Sequence, residues 1–119
     1  MYMMRLFVVF FMVLGFSISG YSQVVYNVEY SSQADVKVYV VEYQSQADLL
    51  VYKVDYKSQA DGNKGLWFFT EYASQAEKTI FFTDYASQAD LKIFFVDYQS
   101  QAVWKSSDKK HLLYTSIHG

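Results

Sequence analysis

The chain is predicted to be all-β, with about seven short strands built from 13-residue repeats. Three observations carry that expectation. The tetrad Ser-Gln-Ala-Asp recurs at 32–35, 45–48, 58–61 and 87–90; Ser74-Gln75-Ala76-Glu77 is a close variant, and Ser100-Gln101-Ala102 keeps three residues. Its glutamines fall at 33, 46, 59, 75, 88 and 101, a spacing of 13, 13, 16, 13 and 13, and a fixed period has to be read before any single element. The stretches between the tetrads are rich in β-branched and aromatic residues and the chain contains no proline, which favours strands over helices.

With glutamine as position 1, the repeat reads Gln-Ala-Asp-x-x-apolar-aromatic-x-(Val/Thr)-acid-Tyr-x-Ser. Position 7 is Tyr26, Tyr39, Tyr52, Phe68, Phe81 and Phe94, and position 9 is Val28, Val41, Val54, Thr70, Thr83 and Val96. Position 11 is always tyrosine: Tyr30, Tyr43, Tyr56, Tyr72, Tyr85 and Tyr98. In an extended chain positions 7, 9 and 11 share a face, and this tyrosine face is expected to point inward. The opposite face carries a constant acid at position 10 and an apolar residue at position 6 (Val25, Val38, Val51, Trp67, Ile80, Ile93), so it is expected to be only partly wet. Six strands are predicted near 24–30, 37–43, 50–56, 66–72, 79–85 and 92–98. Leu112-Leu113-Tyr114-Thr115 signals a seventh, near 112–116.

An odd period would flip the inward face at every repeat, so each tetrad must break the alternation and reset it. Aspartate and serine suit such a turn, because their side chains bond to nearby backbone. The constant alanines (Ala34, Ala47, Ala60, Ala76, Ala89, Ala102) mark places where a larger side chain is expected to clash. Gly62-Asn63-Lys64-Gly65 lengthens the third link by three residues and reads as a flexible turn. In the last link Val103 replaces the acid, and the polar run 104–110 is expected to form an exposed loop with Trp104 folded back as a lid. Links of about six residues reach roughly 20 Å, and a parallel neighbour in an open sheet normally needs a dozen or more residues of crossover. An up-and-down antiparallel barrel, a narrow solenoid and a closed ring with links to more distant strands all remain compatible with the pattern.

At 119 residues the chain is at most one domain. Residues 1–22 read as a secretory signal peptide: a positive start at Arg5, an apolar run from Leu6 to Phe16, and small residues before Gln23. That run is shorter than the roughly 20 residues a spanning helix needs, so no membrane span is expected after cleavage. Residues 23–119 would then form the domain, secreted or periplasmic. This part holds nine lysines, no arginine and twelve acids, the wrong balance for a nucleic-acid partner. The absence of cysteine removes disulfides as a staple and leaves the aromatic core to stabilise the domain.

Catalysis finds little support in the residues. The histidines, His111 and His118, sit near the end of the chain, and the repeated serines read as turn residues. The acids at positions 3 and 10 could in principle supply oxygen ligands to calcium. No glycine-rich aspartate loop accompanies them, and they are expected instead to cap turns, face water or pair with Lys37, Lys53 and Lys92. The residues that could form a binding patch, for example by stacking on sugar rings, are Trp67 and Trp104, with Phe69, Phe82 and Phe95 beside them. A monomeric, non-enzymatic domain without cofactor or metal is expected.

The Tyr-x-Ser-Gln-Ala-Asp unit resembles the septoil-knot family of small bacterial all-β domains. So do the aromatic strand after it, the single Gly-Asn insertion before Trp67, and the closing Ala102-Val103-Trp104-Lys105. The likeness runs over about 24–116. It implies a closed, barrel-like fold whose chain traces a deep seven-crossing torus knot, an exception to the rule that chains avoid knots. It carries over no catalytic residues. The departures are Val103 and Glu77 at the link acid.

Overall fold

A computed structural model describes residues 22–113. Residues 1–21 of the expected signal peptide, the end of the expected seventh strand and His118 lie outside the described residues; Ser22, the last residue of the expected signal peptide, lies within them. Seven strands form, β1 (Val24–Asn27), β2 (Val36–Val40), β3 (Leu49–Lys53), β4 (Leu66–Phe69), β5 (Lys78–Phe82), β6 (Leu91–Phe95) and β7 (Val103–Trp104). The first six close into a barrel in the order β1-β5-β2-β6-β3-β4, with β4 pairing back onto β1 and every pairing parallel. β7 lies antiparallel to the start of β3. Of the three architectures left open, the chain adopts the closed ring.

Consecutive strands are mostly not neighbours. The link 28–35 passes from β1 to β2 across β5: the N–H of Val28 donates to the Ile80 carbonyl (2.9 Å) and that of Asp35 to the Thr79 carbonyl (2.9 Å). The link 41–48 straddles β6 in the same way, through Ile93 and Lys92. The link 83–90 straddles β2 through Val38 and Lys37, and 70–77 straddles β1 through Val25 and Val24. The usual dozen-residue crossover is unnecessary because the strands are so short. Five residues of strand span about 17 Å, whereas eight of link reach about 26–29 Å, enough to return over one strand without a helix.

The 16-residue spacing has a topological cause. Stepping two places at a time round a six-place ring returns the chain to its starting place after three steps. The third link arcs over β4 and arrives at that occupied place, where Ser22 and Asp61 form an antiparallel bridge and Gln23 N–H donates to Ala60 (2.9 Å). Gly62 to Gly65 then turn the chain back one place to begin β4. The second lap is thereby offset, and β4, β5 and β6 fill the gaps between β1, β2 and β3.

The inward face is not the tyrosine face. Position 6 fills the barrel, with Val36, Leu49 and Leu91 of position 4 in the same core and Phe69, Phe82 and Phe95 of position 8 half-buried against it. All six position-6 side chains, Val25, Val38, Val51, Trp67, Ile80 and Ile93, are fully buried in one layer. Burial of each such side chain contributes about 1.5–3 kcal/mol. Because the laps interleave, small and large residues alternate around this layer as Val25, Ile80, Val38, Ile93, Val51 and Trp67, an arrangement suited to filling a narrow barrel. Position 7 points outward but is half-buried, because the links cover it: Val41 and Ala47 pack with Leu50, Tyr39 and Phe94, and Val54 and Ala60 with Leu66, Tyr52 and Phe68.

The strands are shorter than predicted at their C-terminal ends. Positions 10 and 11 belong to the links, where 3₁₀ turns such as Ser31–Gln33 and Gln44–Gln46 break the alternation as expected. The predicted seventh strand is also corrected. Leu112 and Leu113 end a 3₁₀ helix, Ser107–Leu113, whose Leu113 plugs the barrel with its carbonyl held by Gln23 Nε2 at 3.0 Å.

Gly65 sits at φ +93°, and a Cβ there would meet the Leu50 carbonyl oxygen at 2.5 Å. Gly62, at φ +73°, would meet only the flexible Lys64 side chain. In equilibrium denaturation, Gly65→Ala is expected to cost about 3 kcal/mol or more, and Gly62→Ala only about 1 kcal/mol. Equal losses would contradict the role given to Gly65.

Candidate functional site

The tyrosines of position 11 lie on the surface. Tyr30, Tyr43, Tyr56, Tyr72, Tyr85 and Tyr98 are 61–68% exposed, each just ahead of a 3₁₀ turn and just after an acid that is itself exposed. Their predicted inward orientation is therefore corrected. The repeat presents six phenol rings around the outside of the barrel.

The tetrads hold this surface in place, each residue by a different contact. In three of the four repeats with valine at position 9, the glutamine Oε1 accepts the tyrosine N–H: Gln46 from Tyr43 (3.3 Å), Gln59 from Tyr56 (3.0 Å) and Gln101 from Tyr98 (3.2 Å). In repeats with threonine there, the threonine Oγ1 accepts that N–H and its own O–H donates to the glutamine Oε1. Thr70 bonds Tyr72 (3.1 Å) and Gln75 (3.4 Å), and Thr83 bonds Tyr85 (3.3 Å) and Gln88 (3.2 Å).

Three of the four tetrad aspartates cap a strand distant in sequence rather than their own turn. Asp35 Oδ2 accepts from Thr79 N–H (3.0 Å), Asp48 from Lys92 N–H (2.9 Å) and Asp90 from Lys37 N–H (2.9 Å). Each bond ties the end of a link to the strand it has just crossed. Asp48 also accepts Ser106 Oγ (3.2 Å) and pairs with Lys109 (3.5 Å), anchoring the polar segment after β7. Of the alanines, Ala47 and Ala60 are buried and Ala34, Ala76, Ala89 and Ala102 half-buried, wedged where links close on strands.

The aromatic candidates separate. Trp67 is fully buried at the barrel centre and cannot form a surface patch with Trp104; its Nε1, like Gln23 Oε1, is buried without a partner. Trp104 does fold back, from a short strand and not a loop. It packs on the core while its Nε1 donates to the Asn63 carbonyl (3.0 Å), so the inserted turn also seats the lid. Phe69, Phe82 and Phe95 cluster half-buried at the opposite end, Phe69 and Phe82 stacked at 6.3 Å. Lys53 caps them, its Nζ lying 4.7 Å from the Phe95 centroid and 5.3 Å from that of Phe69, a cation–π arrangement and not the expected ion pair.

His111 Nδ1 lies 3.0 Å from its neighbouring Asp108 carbonyl. Among the described residues, no three His, Asp or Glu side chains converge as a metal site, and no helix is long and apolar enough to cross a membrane.

A groove of about 440 Å³ opens on the outer wall between the links 41–48 and 83–90, lined by Tyr39, Val41, Glu42, Gln46, Ala86 and Lys92. Sequence reasoning missed it because its residues come from separate repeats that become neighbours only when the laps interleave.

Thr83 and Gln88 are expected to behave as a coupled pair. Thr83→Val should cost less than about 1 kcal/mol, since Gln88 can cap Tyr85 as its valine-repeat counterparts do. Adding Gln88→Ala should exceed the sum of the single changes by about 0.5–1 kcal/mol. Strict additivity in the double-mutant cycle would refute the exchange of caps.

Comparison with curated proteins and with solved structures found no match. A family model described as "7(1) septoil knot domain" matches residues 22–105, which span all seven strands and stop short of the Leu113 plug. The chain belongs to the septoil knot domain family.

Proposed function

We propose that the chain is a secreted or periplasmic, monomeric, non-enzymatic domain whose role is physical endurance, and that it is threaded as its family's description states. The observation that carries this reading is the set of links, four of which (28–35, 41–48, 70–77 and 83–90) are fastened by backbone bonds on both sides of the strand they cross. To unfold, such a chain must release several links and withdraw an end beneath them, which slows unfolding without adding equilibrium stability. An exported domain without disulfides gains protease resistance by this route. The unfolding rate in water should fall at or below the slow end of the range for small domains, about 10⁻⁶ s⁻¹. Digestion by a nonspecific protease should be correspondingly slow, and rapid native-state cleavage within 22–113 would count against the reading.

A second reading is a cell-surface ligand-binding or adhesive module. It is favoured by the six exposed tyrosines, which the core does not need. Exposed tyrosine supplies contact area at low entropic cost. Tyr43→Ser with Tyr85→Ser should leave stability within about 0.5 kcal/mol while lowering retention on cell-envelope material. Unchanged retention would remove the tyrosines from that role.

A further inference from the structure

We propose that the groove between the links 41–48 and 83–90 is a binding site for a neutral polysaccharide. The proposal rests on the binding-module reading and gives it a site and a ligand class. The groove lies within the range of small-ligand clefts, about 300–1,000 Å³, and its chemistry is mixed. Tyr39, half-buried, offers a ring flanked by the apolar Val41 and Ala86, a strip suited to the C–H face of a sugar.

Three polar groups complete the lining. Glu42 and Lys92 have no ion-pair partner among the described residues, so both are available to a ligand. Gln46 spends its Oε1 on the Tyr43 backbone, which fixes the side chain and leaves Nε2 as a donor. A carboxylate that accepts and an ammonium and amide that donate complement hydroxyls, which do both. The two charges cancel, so neither an anionic nor a cationic ligand gains from the site as a whole.

The repeat supplies the argument for a polymer. Position for position, Phe81, Asp84, Gln88 and Lys37 stand one strand further round the barrel as Tyr39, Glu42, Gln46 and Lys92 do here. They have the same pattern of exposure, aromatic and lysine half-buried, acid and amide exposed. Asp90 and Asp48 fasten the respective lysine backbones alike, at 2.9 Å. A periodic ligand seated in the groove can extend onto this equivalent set of residues and gain by multivalency what a single open groove lacks.

The test is a titration of the ¹⁵N-labelled protein with neutral hexasaccharides of glucose, mannose and N-acetylglucosamine, with free glycine as a zwitterionic control. At least one saccharide should shift the amides of Tyr39, Glu42, Gln46 and Lys92. Glu42→Gln combined with Lys92→Met should weaken that binding about tenfold or more with an unchanged melting temperature. If a saccharide instead shifts the amides around Tyr43 and Tyr85 and spares the groove, the site assignment falls and the binding-module reading stands. Binding of glycine with the saccharides silent overturns the ligand class. Silence from every saccharide at millimolar concentration overturns the proposal, and the binding-module reading falls separately if cell-envelope retention is absent as well.

Discussion

Everything in this fold depends on a link being long enough to return over one neighbouring strand and no more. Strands of four or five residues make that possible, because the distance to be retraced is shorter than the reach of the link. A longer strand would demand a helix or a longer crossover, and the close packing of link on strand would be lost. The tetrad is fitted to this one manoeuvre. Its serine and glutamine form the 3₁₀ turn, its glutamine caps the turn's entry, its alanine allows close approach, and its aspartate bonds the strand just crossed.

The barrel consequently has two layers of burial. Inside, the position-6 ring and its neighbours form a buried apolar core plugged by Leu113. Outside, the links cover position 7 and the outward faces of the strands in smaller clusters. A parallel sheet covered on both faces does not show clean alternation, and this is why the tyrosine side could be mistaken for the core side. The apolar positions 6 and 7 are adjacent, so each face of the strand has a claim to be buried. Positions 10 and 11 continue the strand pattern in sequence, yet they are already in the link, where inside and outside no longer follow the pleat.

The same layering bears on function. Side chains that satisfy the fold are repeated for structural reasons, and the glutamine–threonine exchange shows how closely the repeats compensate for one another. The tyrosine rings and the groove residues Glu42 and Lys92 stand outside that set of contacts. They are the places where a repeated surface meets solvent without a folding task that accounts for it.

The amino-acid sequence by itself determined the repeat, the strand class, the position of the resetting turns and the one irregular link, because all of these are local or periodic properties. It also carried, unrecognised, the complementary laps: valine at position 6 in the first three strands, tryptophan and isoleucine in the next three. Only the tertiary structure decided which phase of the alternation faces the axis. A period of two has two solutions, and the links choose between them by covering one face. It likewise decided which strands become neighbours. The offset introduced at Gly62–Gly65 interleaves the laps, sets small residues against large ones, and brings Glu42 and Lys92 to the walls of one groove although fifty positions separate them in sequence.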